Sequence, residues 1–348
     1  MNWLSRVSVL FVVLAGLGLA VVAQNKPASP VFESQEVKYD GHEVKLAGTL
    51  LLPKLDKGKR APGMLIVVGS GATPRDGVEI GTVKQPIYRE LAEHLAARGI
   101  AVLRYDKRCV GQSECKKPTS FDDYIDDARL SAEFLKKQPQ VDPAKIFLFG
   151  HSEGGYIISS IAAHENAKFA GVILAAAPGR HLHKIMRDQL KNRMTEAGKK
   201  PEEVDAYLIK FDRVIRGLQG GQSDFASEKL SEKDPYDALL LSLIKQRDVI
   251  VSLFINDPLQ IVNNIEAPTL ILQGKKDIQI AVKDAEFLEE AMKRASHEDV
   301  TLHLLDDVDH LLKTNKGAAT VASYADTSRP LDAAMLTILT DWLLKKAK

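Results

Sequence analysis

The sequence predicts an α/β fold: a mostly parallel, doubly wound sheet with an antiparallel hairpin at its N-terminal edge and a helical insertion. Three observations predict it. Apolar runs of strand length recur along the chain, amphipathic helical stretches separate them, and an alternating polar-apolar hairpin precedes them all.

Taken in order, the chain opens with Arg6 and an apolar stretch, 7–23, interrupted only by Ser8 and glycines. Val21 and Ala23 stand where a signal peptidase requires small side chains. The expectation is a signal peptide over 1–23 and export to the periplasm or the medium. The alternative is an uncleaved N-terminal membrane anchor, the only route by which a membrane becomes a partner. Residues 36–39 alternate, 40–42 turn, and 44–52 alternate again, the pattern of an edge hairpin. The buried-strand runs follow at 64–68, 100–105, 146–149, 172–175 and 269–272, with a weaker one at 300–305. Helical patterns at 88–97, 121–137, 156–163, 282–295 and 331–344 lie between or after them. From 180 to 254 no strand run occurs, only amphipathic helical stretches with a Gly-rich joint at 217–221. The expected organisation is therefore a core of 31–179 and 255–348, with 180–254 looping out as a helical cap, or lid, over the active site.

The 348 residues are 45% hydrophobic and 27% charged, enough for one large core. Lys and Arg number 47 against 46 Asp and Glu, so nothing in the charge favours nucleic acid. Cys109 and Cys115 have five residues between them, in a segment that reads as a loop. In an oxidising compartment they would pair, and otherwise stay free thiols. Neither has a His or second Cys at zinc-ligand spacing, so no metal site is expected.

Residues 150–154 read Gly-His-Ser-Glu-Gly, directly after the apolar run 146–149 and before a helical pattern. Strand, Gly-x-Ser-x-Gly and helix is the setting of a nucleophile elbow, which makes Ser152 the candidate nucleophile. A serine hydroxyl needs a base to take its proton. In elbow enzymes the acid and the histidine come later, in that order. Asp277 follows the strand run that ends at Gly274, and His310 follows the run 300–305. Both would emerge at the same sheet edge as Ser152, His310 as base and Asp277 as its orienting carboxylate. Asp306, Asp307 and Asp309 lie too near His310 in sequence to be first choices. The oxyanion needs two converging amide donors. Glu153 N–H is one. The loop after 64–68 offers Ser70 N–H as first choice and Gly71 N–H as second. His181 and His183 stand at the entrance to the insertion, within reach of substrate or solvent.

At these residues the sequence resembles the α/β-hydrolase superfamily, more narrowly bacterial esterases and the serine hydrolases related to dipeptidyl and acylaminoacyl peptidases. The resemblance rests on Gly69-Ser70-Gly71, Arg104-Tyr105-Asp106-Lys107-Arg108, Gly150 through Gly155, Gln273-Gly274-Lys275-Lys276-Asp277 and Asp309-His310. It implies the α/β-hydrolase fold and a Ser152-Asp277-His310 triad that works without cofactor. One position departs from the family pattern: Cys109 stands where such relatives carry Gly after Asp-Lys-Arg. If that position needs positive φ, Cys there is strained. Asp106 and Arg108 read as anchors of this loop. The expected activity is cleavage of small carboxylic esters through an acyl-Ser152 intermediate. The alternative is a serine peptidase with the same triad acting on short peptides, in which Glu202, Glu203 or Asp205 would bind the substrate amine. The peptidase relatives carry a propeller ahead of the hydrolase, and the short leader here favours esters.

Overall fold

In the computed structural model, residues 31–164 and 168–348 are described; the expected signal peptide, 1–23, lies outside them. In chain order they form β1 (Phe32–Asp40), β2 (Lys45–Pro53), β3 (Ala61–Val67), β4 (Val78–Ile80), β5 (Val83–Gln85) and α1 (Ile87–Ala96). Next come β6 (Ala101–Tyr105), α2 (Phe121–Lys136), β7 (Val141–His151), α3 (Glu153–Ala162) and β8 (Gly171–Ala175). A wholly helical stretch follows: α4 (Leu182–Glu196), α5 (Pro201–Gln219), α6 (Pro235–Lys245), α7 (Arg247–Ile255) and α8 (Pro258–Val262). The chain then closes with β9 (Thr269–Gly274), α9 (Val282–Arg294), β10 (Val300–Leu305) and α10 (Ala333–Lys346).

Eight strands share one sheet in the order β1-β2-β6-β3-β7-β8-β9-β10. β1 and β2 are antiparallel, β2 is antiparallel to β6, and every pairing from β6 to β10 is parallel. Successive side chains on a strand face opposite ways, so the apolar runs fill both faces at once. On one face Leu65, Leu103, Leu148 and Leu174 meet Ala128 and Leu135 of α2, Ile157 and Ile161 of α3 and Leu288 of α9. On the other Ile66, Val102, Phe149 and Ile173 meet Leu91 and Leu95 of α1 and Leu339 of α10. Each buried Leu, Ile, Val or Phe among them stabilises the fold by roughly 1.5–3 kcal/mol relative to leaving it in water. Parallel pairing sends the C-terminal ends of β3, β7, β9 and β10 to one rim, and the candidate residues all follow those ends.

Two features depart from the expectations. β4 and β5 make a separate two-stranded hairpin between β3 and α1. The Gly-rich joint is also narrower, because α5 runs on through Gly217 to Gln219. Val214, Ile215 and Leu218 are buried around Gly217, and that burial outweighs the ~1 kcal/mol a helical glycine costs. The inserted helices pack their apolar side, including Leu190, Phe211, Leu240 and Phe254, onto the cluster that α2 and α3 share. Phe121 N–H at the start of α2 donates to Ser252 Oγ of α7 at 3.1 Å. Among the described residues no helix is long and apolar enough to cross a membrane.

Candidate active site

β7 ends at His151 and α3 begins at Glu153, so Ser152 is the single residue of the turn. Its φ of 54° and ψ of −125° are unusual for a non-glycine residue and cost of order 1–3 kcal/mol. Close approach explains the flanking glycines. A Cβ on Gly150 would meet Gly154 O at 2.3 Å, and one on Gly154 would meet Val67 O at 2.2 Å. Ser152 N–H donates to Ala175 O at 3.0 Å, which ties the turn to β8.

Asp277 and His310 meet. His310 Nδ1 lies 2.9 Å from Asp277 Oδ2, with the Asp277 side chain wholly buried and that of His310 nearly so. The other carboxylate oxygen, Oδ1, accepts the backbone N–H of Gln279 at 2.7 Å and of Ile280 at 2.9 Å. Gln273 Nε2 also donates to Oδ2, at 3.3 Å. A carboxylate held by these donors fixes the ring that faces it through Nδ1, leaving His310 Nε2 outside this contact. The neighbouring carboxylates are engaged elsewhere: Asp309 with Arg329 and Leu311 N–H, Asp306 with Lys275, Asp307 with Lys316.

His151, between strand end and nucleophile, joins three loops. Its Nε2 lies 2.7 Å from the backbone carbonyl of His310 and its Nδ1 lies 2.8 Å from Tyr88 Oη. Because a carbonyl only accepts, Nε2 carries the proton. Nδ1 therefore accepts from the tyrosine hydroxyl, and that hydroxyl takes Gly69 N–H at 3.1 Å. The rings of His151 and His310 stack obliquely with centroids 4.8 Å apart, which sets His310 beside the residue that precedes Ser152. Sequence reading places His151 in the elbow but gives it no partners, since Tyr88 is 63 positions away and His310 is 159.

Burial first, and then the charge of His310, pushes the His151 imidazole down from 6.5 to about 3. Above the ordinary value the ring is neutral in both folded and unfolded chains. Between the two values the unfolded chain takes up a proton that the folded chain refuses. Stability is therefore fully present above ~6.5 and falls by up to about 1.4 kcal/mol per pH unit below it. The expected outcome is a urea-unfolding free energy that declines from about pH 7 to about pH 4, with a slope shallower by about one proton in His151→Gln. Equal slopes in the two proteins would refute this.

The loop after β3 reaches Ser152 through Gly69: a Cβ built there would sit 3.4 Å from Ser152 Cβ. The Gly69–Ser70 peptide thus runs beside the candidate nucleophile, with Ser70 and Gly71 exposed beyond it. Glu153 opens α3, so its N–H is one of the four that a helix leaves without an intrahelical acceptor. Across the site, Cys109 and Cys115 form a disulfide, and Cys109 has φ of 63°. Arg108 is buried against Asp127, Asp123 and the carbonyl of His42. Asp106 accepts the N–H of Arg75 and of Gln112. Both residues hold the loop and face no reacting group. Glu202 and Glu203 on the first turn of α5 and Asp205 just after it are exposed, and Glu203 accepts Lys200 N–H as a helix cap at 3.1 Å.

A cleft of about 250 Å³ is lined by Ile80 of β4, Gln189 and Arg193 of α4, and Ile278 and Gln279 directly after Asp277. A wider hollow of about 940 Å³ includes Pro268, Ser296 and Asp299, at the opposite ends of β9 and β10, away from every candidate residue.

Known proteins resemble this chain over nearly its whole length. A family model described as "Serine aminopeptidase, S33" matches residues 85–216, which includes the elbow. Esterase EstD of Thermotoga maritima is 29% identical over 319 residues, 90% of this chain and 68% of that protein. Human monoglyceride lipase is 26% identical over 311 residues, 82% and 88% of the two chains. Among solved structures, the Pyrococcus furiosus esterase Pf2001 superposes with a TM-score of 0.58 at 19% identity, covering 93% of this chain and 96% of that one. Sheet order, strained serine and these similarities agree on one architecture: the chain has the α/β-hydrolase fold and is similar to esterases built on it.

Proposed function

We propose that the protein is a serine esterase that cleaves small carboxylic esters through an acyl-Ser152 intermediate. The observation that carries this is the buried Asp277–His310 pair, 2.9 Å apart, on the rim where the strained Ser152 stands. Ser152 Oγ attacks the acyl carbon while its proton passes to His310 Nε2. The oxyanion forms against Glu153 N–H and Ser70 N–H, with Gly71 N–H as the second choice in that loop. Collapse expels the alcohol, which takes the proton from His310. Water then loses a proton to the same nitrogen, attacks the acyl-enzyme, and Ser152 recovers its hydrogen as the acid leaves. The helices of 180–254 serve as a cap over the site. The cleft between α4 and the residues after Asp277 supports that role.

The similarity to EstD and to monoglyceride lipase favours ester cleavage. The family description favours a second reading, a serine aminopeptidase with the same triad. That reading needs a carboxylate for the substrate amine, and the exposure of Glu202, Glu203 and Asp205 weakens those candidates. A panel of p-nitrophenyl acyl esters beside aminoacyl p-nitroanilides decides. Esters are expected to turn over faster, and faster anilide turnover reverses the assignment.

Export belongs to the same proposal. The apolar stretch 7–23 and the Cys109–Cys115 bridge both suit an oxidising compartment. The mature protein is expected to begin at Gln24 by mass spectrometry; an intact N-terminus on the secreted product would refute cleavage.

A further inference from the structure

Lys107 lies two residues beyond β6 in the segment Asp106-Lys107-Arg108. A lysine ammonium is costly to bury unless its donors are used, yet Lys107 is only 2% exposed. Its Nζ donates to Gly69 O at 2.8 Å and to Glu153 Oε1 at 3.1 Å, and lies 5.4 Å from the centroid of the Tyr124 ring. Those two acceptors belong to the two segments that carry the proposed oxyanion donors.

Gly69 C=O and Ser70 N–H are parts of one peptide unit. Among the described residues the only cis peptide bond is Lys117–Pro118, so this unit is planar and trans, and its N–H points opposite to its C=O. A cation that holds the carbonyl from one side therefore aims Ser70 N–H to the other. It also polarises the amide, which strengthens the N–H as a donor. Tyr88 Oη fixes the preceding Gly69 N–H at 3.1 Å, so the loop is held on both sides of the glycine. Glu153 contributes twice: its N–H is the second oxyanion donor, and its carboxylate anchors the ammonium that orients the first.

We propose that Lys107 is a positioning residue that sets the oxyanion hole of this hydrolase, with Glu153 as its anchor. This rests on the acyl-Ser152 reading. The site prepared in this way takes a carbonyl that becomes tetrahedral and negatively charged, and Lys107 acts on that state through the Gly69–Ser70 peptide without touching substrate.

The test compares wild type, Lys107→Met, Lys107→Arg, Glu153→Gln and Ser152→Ala with a p-nitrophenyl ester and a trifluoromethyl ketone that forms a tetrahedral adduct. Thermal unfolding is followed alongside. Losing a whole oxyanion donor costs about 10²–10³ in rate. Misaiming one is expected to lower kcat by about 10- to 100-fold in Lys107→Met, with KM changed by less than about threefold. Ketone affinity should fall by the same factor as kcat. Lys107→Arg should recover most of the loss, and Glu153→Gln should fall between the extremes. Unchanged kcat in Lys107→Met overturns the proposal, and so does a fall in kcat without weaker ketone binding. If Lys107→Met does not fold, Lys107→Arg and Glu153→Gln decide by the same comparison of kcat with ketone affinity. Activity persisting in Ser152→Ala would overturn the serine reading itself and this proposal with it, a result distinct from failure at Lys107 alone.

Discussion

Ser152→Ala is expected to lower kcat for ester cleavage by about 10⁴- to 10⁶-fold while leaving KM and the fold nearly unchanged. The size follows from the proposed acyl-Ser152 step, for which no other hydroxyl is placed between β7 and α3. Alanine needs the same φ of 54° that serine adopts, so the strain is common to both proteins and the melting temperature should barely move. What survives is acceleration from bound donors alone, which in unrelated serine hydrolases is about 10³–10⁴ over water. The same variant should lose labelling by a fluorophosphonate. Labelling retained at full stoichiometry would show that another residue is the nucleophile.

Asp277→Asn carries the second large effect, and its mechanism can be read from the hydrogen bonds. Oδ1 accepts two backbone N–H groups, from Gln279 and Ile280. An asparagine must keep its oxygen there, because turning it would set an NH₂ against two donors. The amide nitrogen then takes the place of Oδ2 and faces His310 Nδ1. It would donate to that nitrogen and drive the ring proton to Nε2, so His310 could no longer accept from Ser152. The expected loss in kcat is about 10⁴-fold at neutral pH, comparable to the same change in a chymotrypsin-like triad. Asp277→Ala, which imposes no tautomer, should retain more activity if it folds. Equal losses in the two variants would show that the carboxylate acts by charge alone.

The fold was legible because the strands of the central sheet are buried on both faces, so their runs stand out without alternation. Asp277 and His310 were legible by position, each in the loop after a recognisable strand and in the order the elbow requires. The hairpin of β4 and β5 was not, since three-residue strands carry too little pattern to rise above loop. The Gly-rich joint misled because glycine's helix cost is local, whereas the burial of Val214, Ile215 and Leu218 is a tertiary gain. In the proposed oxyanion loop, sequence reading reached Ser70 and Gly71 but not the contact at Gly69. The partners that fix Gly69, Tyr88 and Lys107, come from elements 19 and 38 positions away. Nothing in local composition marks such a pairing. The departure at Cys109 was visible only against a family pattern, and its positive φ gives that departure a backbone cause.

One consequence of His151 concerns motion. Its ring bonds the carbonyl of His310 on one side and, through Tyr88, the amide of Gly69 on the other, while its own backbone continues into Ser152. A displacement of any one loop is expected to pull on the other two. Fluctuations of His310, Ser152 and the Gly69 loop are therefore expected to be correlated, so that part of each excursion cancels in the distances between them. Reacting groups that drift together keep their alignment even when the rim as a whole moves.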